Sequence, residues 1–201
     1  ADRERPLTDR EPPILILASA SPRRRELLQL ICAEFQVVPS GLAEVLEPGP
    51  YPEAVATLAL RKARAVAAGL RKGIVLGADT IVVIDGECLG KPADPDEARA
   101  MLRKLRGREH IVITGVGVVE APGGRRASAA VTSQVLMANY SDAAVEAYVR
   151  SGAPLDKAGG YAIQDLDGEL VAGVVGSYTN VIGLPLGETR RLLEEFGVRL
   201  S

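Results

Sequence analysis

A serine, a proline and two arginines at the foot of a helix make a place where a phosphate can sit. In Ser19-Ala20-Ser21-Pro22-Arg23-Arg24, Ser21 is a favoured N-cap and Pro22 suits the first helical position. Backbone N–H groups at such an end lack intrahelical partners, and the positive end of the helix dipole favours an anion. Two guanidiniums in the first turn work against that dipole, so the charge pattern suits a bound phosphate better than a bare helix. The other reading of Arg23, Arg24 and Arg25 is a solvated face with an ion pair to Glu26.

Asp79 is the second chemical signal. It stands inside Ile74-Val75-Leu76-Gly77-Ala78-Asp79-Thr80-Ile81-Val82-Val83-Ile84, an apolar run that reads as a buried strand. A carboxylate there must be paired, hydrogen-bonded or metal-bound, because desolvating it alone is expensive. It is a candidate general base or metal ligand; the alternative is a strand-end aspartate capping a turn with its own backbone.

Other segments are weaker or fail. Gly86-Glu87-Cys88-Leu89-Gly90-Lys91-Pro92 is one residue short between its glycines for a P-loop, and Pro92 stands where Ser or Thr would bind magnesium. Lys91 remains a rigidly placed cation that could meet a phosphate, the commoner alternative being an exposed loop lysine. Gly115-Val116-Gly117 lacks the third glycine of a dinucleotide fingerprint and runs into a strand rather than a helix. Asp156-Lys157-Ala158-Gly159-Gly160-Tyr161-Ala162-Ile163-Gln164 combines glycines that admit a ligand with an amide that can read the edge of a base, or is simply a surface loop. The single histidine, His110, precedes a strand and reads as structural, and it leaves no Ser-His or Cys-His pair for covalent catalysis.

Positioning these groups requires an alternation of strands and helices. Residues 14–18 read as a buried strand, 23–31 as a helix, 35–38 as a second strand and 52–70 as a long Ala-rich helix carrying Arg61 and Lys62. Residues 74–84 and 87–89 form a hairpin through Asp85-Gly86, and 94–105 an amphipathic helix. Residues 111–119 and 127–136 make a second hairpin through Pro122-Gly123-Gly124. Ser141 caps a helix to residue 150, a strand covers 170–175, and the last helix covers 186–196. The expected fold is α/β, with a mixed twisted sheet and flanking helices in one domain over residues 14–201. Residues 1–13, rich in charge and proline, are expected to be a disordered arm.

Composition excludes several classes. With 47% hydrophobic and 25% charged residues the 201-residue chain can bury a core. A balance of 24 Lys and Arg against 26 Asp and Glu offers no basic face for long nucleic acid, and the absence of Trp leaves few stacking platforms. Two cysteines and one histidine build neither a disulfide framework nor a Cys/His metal cluster. No apolar run reaches membrane-spanning length and no signal core follows the N-terminus. No membrane or nucleic-acid partner and a cytoplasmic location are expected.

Six separated blocks then resemble one family. Leu17-Ala18-Ser19-Ala20-Ser21-Pro22-Arg23-Arg24, Gly77-Ala78-Asp79-Thr80-Ile81-Val82, Gly90-Lys91-Pro92, Thr114-Gly115-Val116, Asp156-Lys157-Ala158-Gly159-Gly160-Tyr161 and Gly176-Ser177-Tyr178-Thr179-Asn180-Val181-Ile182-Gly183-Leu184-Pro185 are similar, in order, to the Maf family of nucleotide pyrophosphatases. The resemblance implies two α/β lobes around a deep cleft, usually in a homodimer. It implies hydrolysis of nucleoside triphosphates between the α and β phosphates with Mg²⁺ or Mn²⁺, as house-cleaning of nucleotide pools. It makes Asp79 the catalytic base and metal ligand with Glu44, and places Ser19, Arg23, Arg24, Lys62 and Lys91 around the phosphates. The family often has two acidic residues near Ser40, whereas here Ala43 precedes Glu44, so a smaller carboxylate set is expected. Arg23, Thr80 and Gln164 match the branch acting on dTTP and UTP rather than the one preferring 7-methyl-GTP. Modified pyrimidine nucleotides are a variant of that reading, and the alternative function is a non-catalytic nucleotide-binding regulator of cell division or septum formation.

Overall fold

The computed structural model describes residues 11–163 and 169–201. The expected arm thus lies outside the described residues apart from 11–13, and Gln164 lies outside them altogether. Strand β1 (Leu15–Leu17) leads into helix α1 (Pro22–Gln29), followed by β2 (Gln36–Val37) and α2 (Tyr51–Ala67). Strands β3 (Ile74–Ile84) and β4 (Glu87–Leu89), helix α3 (Pro95–Leu105) and the long pair β5 (Glu109–Glu120) and β6 (Arg126–Met137) come next. Helix α4 (Asp142–Arg150), two short 3-10 turns (Ala153–Asp156 and Ala158–Gly160), β7 (Val171–Val175), α5 (Tyr178–Ile182) and α6 (Leu186–Glu195) complete the order.

The seven strands form one mixed sheet in the order β2-β1-β3-β5-β6-β7, with β4 also paired to β3. β1 runs parallel to β3 and β2, while β3, β5, β6 and β7 are successively antiparallel. Expected and observed bounds differ by one to three residues for most elements. The difference in kind is α5, which lies in a stretch that reads as loop: Ser177 caps it by accepting from the Asn180 N–H at 3.1 Å, and five residues are too few to show a helical period.

β3 organises the molecule. One of its edges pairs with β5 from Ile74 to Val83. The other is shared: β1 takes Ile74 to Leu76 and β4 takes Val82 to Ile84. Between them, residues 77–81 face no strand on that edge, and the cleft opens there.

Side chains of successive β3 residues point to opposite faces. On one face Leu76 and Ala78 pack with α1 and α6, and Val82 and Ile84 pack with α3 and α4. These two cores are the two lobes, and Thr80 lies between them. On the other face α2 covers Val75 through Ala63 and Val66, and Ile81 and Val83 through Val55. Asp79 lies on that side. Helix α2 comes unusually close to the sheet beside it: a Cβ at Gly115, the register partner of Asp79, would lie 2.3 Å from the Val55 carbonyl oxygen, and one at Gly77 would lie 2.4 Å from that of Ala59. Only glycine allows that approach.

His110 is structural, as expected. It is buried, 4% exposed, with Nε2 2.6 Å from the Tyr161 hydroxyl, and burial lowers its pKa from 6.5 to about 4. Between these values the unfolded chain carries the proton and the folded chain does not, so stability is full above about pH 6.5 and falls as the pH drops toward 4. The expected loss is about 3 kcal/mol, checked by denaturant titration across that range. A neutral His110→Gln variant is expected to flatten that part of the profile, and an unchanged slope would assign it to other groups.

Candidate active site

Four charged side chains form a chain along the floor of a cleft of about 520 Å³. Lys62, in the second half of α2, sends its ammonium 2.9 Å from Asp79 Oδ1 and 3.2 Å from Glu44 Oε1. Lys91, after β4, approaches Glu44 Oε2 at 3.3 Å. Lys62 and Asp79 are buried, 6% exposed each, whereas Glu44 and Lys91 open to solvent. The glycine bed under α2 makes the pair geometrically possible, since the helix must lie low for a lysine on it to reach a carboxylate within the sheet. Asp79 sits mid-strand, which discards the turn-capping alternative.

Burial pushes the Glu44 carboxyl up, and the charges of Lys62 and Lys91 override this to leave it below the usual glutamate range. Glu44 is therefore a stable anion at neutral pH. Two carboxylates and two ammoniums balance, so the floor has little net charge of its own.

The arginines stand on the opposite wall, in the first turn of α1, and both line the cleft. Burial lowers the pKa of Arg24 while Asp79 and Glu44 pull it back up. Arg24 Nε donates to the Gly183 carbonyl at 2.8 Å and Nη2 to Thr80 Oγ1 at 3.0 Å, so its plane is fixed. The expectation of free backbone donors here needs correction. Ser21 Oγ accepts from the Arg24 N–H at 3.3 Å, and Ser19 Oγ accepts from the Ser21 N–H at 3.1 Å. The cap has taken two donors that the anion reading counted, and the guanidiniums must supply most of the anion binding. Ser19 is thus buried in the loop that shapes this helix end.

The far wall comes from the 3-10 turns. Lys157 is buried, with Nζ 2.6 Å from the Ala153 carbonyl and 3.0 Å from Asp156 Oδ1. Burial raises the Asp156 pKa, but the hydrogen bond and charge of Lys157, with Arg23 across the cleft adding to them, bring it below its ordinary value. The structure therefore brings Ser19, Arg23, Arg24, Glu44, Lys62, Asp79, Thr80 and Lys91 to one cleft.

Among the described residues no three His, Cys, Asp or Glu side chains converge as a metal cluster. Asp79 and Glu44, each bonded to the Lys62 ammonium, are hard oxygen donors on one cleft floor. Magnesium is commonly held by one or two carboxylates together with substrate phosphates and water, and this donor set fits that pattern.

Residues 14–196 match the family described as Maf-like protein. The chain belongs to that family. Among Maf-like relatives, a protein named dTTP/UTP pyrophosphatase from Moorella thermoacetica is 51% identical over 185 residues, covering 92% of this chain and 95% of the relative. One of the same name from Syntrophus aciditrophicus is 48% identical over 184 residues, covering 91% and 90%. The Ham1 protein of Staphylococcus aureus shares the fold, with a TM-score of 0.50 at 17% identity over 90% of this chain and 98% of that one. The Maf-like match includes every block quoted from the sequence, and no described helix is long and apolar enough to cross a membrane.

Thr114 and Asn180, which lie in two of the blocks similar to the Maf family, carry no site role in the sequence reading. Both are fully buried polar side chains. Thr114 lies in an apolar run much as Asp79 does, so the same test of a polar residue inside a strand would have found it.

Proposed function

We propose that this chain is a nucleoside triphosphate pyrophosphatase that hydrolyses dTTP and UTP to the nucleoside monophosphate and pyrophosphate. The observation that carries the chemistry is the buried Asp79 carboxylate held at 2.9 Å by Lys62 on the floor of a cleft walled by arginines. The pyrimidine preference is supported by relatives about half identical over nine-tenths of the chain that bear that name.

Asp79 Oδ1 is engaged by Lys62, which leaves Oδ2 to take a proton from water as the water oxygen bonds to the α phosphorus. The bond from that phosphorus to the α,β-bridging oxygen breaks, its electron pair leaves with pyrophosphate, and the proton passes from Asp79 to solvent. Arg23, Arg24 and Lys91 stabilise the charge that builds on the departing pyrophosphate. Lys62 keeps the carboxylate fixed. A divalent cation, Mg²⁺ or Mn²⁺, held by Asp79 and Glu44, would supply charge neutralisation at the phosphates when bound. Arg23, Thr80 and Gln164 set the preference for the base in this reading. Homodimer formation, a cytoplasmic location and a house-cleaning role complete it on the family resemblance alone.

The test is pyrophosphate release by the purified protein with Mg²⁺ or Mn²⁺ across dTTP, UTP, CTP, purine triphosphates and 7-methyl-GTP. Turnover of dTTP and UTP at least about tenfold above the others is expected, a discrimination within reach of a few pocket contacts. Turnover confined to 7-methyl-GTP would overturn the pyrimidine assignment, and nucleotide binding without turnover would favour the regulator.

A further inference from the structure

Arg24 ends a hydrogen-bonded chain that runs across the sheet through two hydroxyls, the half-buried one of Thr80 and the buried one of Thr114. Its Nη2 donates to Thr80 Oγ1 at 3.0 Å, Thr80 Oγ1 lies 2.8 Å from Thr114 Oγ1, and Thr114 Oγ1 lies 3.0 Å from the Asn180 carbonyl oxygen. The direction of the chain follows from counting protons. A carbonyl cannot donate, so Thr114 gives its only hydroxyl proton to Asn180. Thr80 must then donate to Thr114, and it accepts from Arg24. Every hydroxyl proton is used once, with a guanidinium at the donor end and a carbonyl at the acceptor end.

The acceptor end is itself anchored. Asn180 Nδ2 donates to the Val112 carbonyl at 3.2 Å and to Ser133 Oγ at 3.0 Å, and Ser133 Oγ donates to the Ser177 carbonyl at 2.8 Å. Asn180 thus pins α5 onto β5 and β6. Just past that helix the Gly183 carbonyl receives Arg24 Nε at 2.8 Å. Two carbonyls from one short stretch, one directly and one through two threonines, therefore fix the guanidinium plane.

The geometry points to Thr114 and Asn180 as positioning residues for nucleotide binding, acting through Thr80 to orient Arg24 toward the triphosphate. Thr80 spends its proton on Thr114, so its effect on substrate choice runs through Arg24 rather than through donation to a base. The ligand is taken from the pyrophosphatase reading, and the test separates the two.

Affinity for a dTTP analogue with an uncleavable α,β bridge is measured with wild type, Thr114→Val, Arg24→Ala and the double variant. Thr114→Val is expected to weaken binding about tenfold, and to add nothing in the Arg24→Ala background. Such non-additivity marks residues that act as one unit. Thr114→Ser, which keeps the hydroxyl, is expected to bind within about twofold of wild type. Equal weakening by Thr114→Val in both backgrounds, or none in the wild-type background, would overturn the proposal. Where the valine variant does not fold, Thr114→Ala, with room for water beside the Asn180 carbonyl, is read by the same criteria. Wild type that binds the analogue without hydrolysing dTTP overturns the pyrophosphatase reading and leaves the coupling measurable; hydrolysis with an additive cycle overturns only the chain, and no binding overturns both.

Discussion

Asp79→Asn is expected to lower dTTP and UTP turnover by about 10³-fold, near the middle of the 10² to 10⁴ range that a general base contributes. The amide has the shape of the carboxylate, and its oxygen can still accept from Lys62, which lies 2.9 Å from Oδ1 and 3.2 Å from Glu44. The site is therefore expected to stay assembled and to lose only the atom that takes a proton. Affinity for an uncleavable nucleotide separates loss of chemistry from loss of binding. A variant that binds within about threefold of wild type while releasing almost no pyrophosphate has lost chemistry, because what a base contributes appears only as the proton moves in the transition state. Turnover within tenfold of wild type would place the base elsewhere.

Lys62→Met is expected to be the most destabilising single change in the cleft. It fills much of the same volume and leaves the buried Asp79 carboxylate without its cationic partner. Breaking a buried ion pair from one side costs about 3–5 kcal/mol. For a chain of this size that corresponds to a fall in melting temperature of roughly 10 °C. The same change in the Asp79→Asn background removes no partner from a buried charge, so there it is expected to cost under about 2 kcal/mol. Urea denaturation of the four proteins measures this, and a cost equal in both backgrounds would mean that Lys62 stabilises through its stem and not its charge.

Much of the fold is legible in the sequence because local signals agree with it. β3 and β4 have the bounds that an apolar run and Asp85-Gly86 prescribe. The N-cap of α3 is Asp94, whose side chain accepts from the Glu97 N–H at 2.8 Å, a pattern visible as Asp-Pro-x-Glu. Asp79 stands out because its surroundings cannot solvate it. Partners far along the chain are invisible for the opposite reason. Nothing near Lys62 says that it lies over Asp79, because that depends on how closely α2 crosses the sheet, and neither Gly77 nor Gly115 announces from the sequence that a helix backbone rests on it. Glu44 precedes α2 in a segment without regular structure, so its approach to Lys62 leaves no periodic trace. Thr114 and Asn180 are 66 residues apart. The helix end of α1 reads with its donors free because the other serine, Ser19, gives no sign that it will bond to the Ser21 N–H.

The alternation along β3 puts Asp79 under α2 and Thr80 between the two lobes, and the ten residue pairs with β5 are what hold it so. Because strand side chains repeat with period two, sliding β3 by one residue would face Lys62 and Arg24 with Thr80 and Ile81 in one direction, or with Ala78 and Asp79 in the other. In either direction Lys62 would lose its carboxylate while the strand remained a strand. Insertion or deletion of a single residue upstream in β3 is therefore an error of enzyme identity before it is an error of folding, and the length of the β3–β5 ladder acts as the proofreader of the active site.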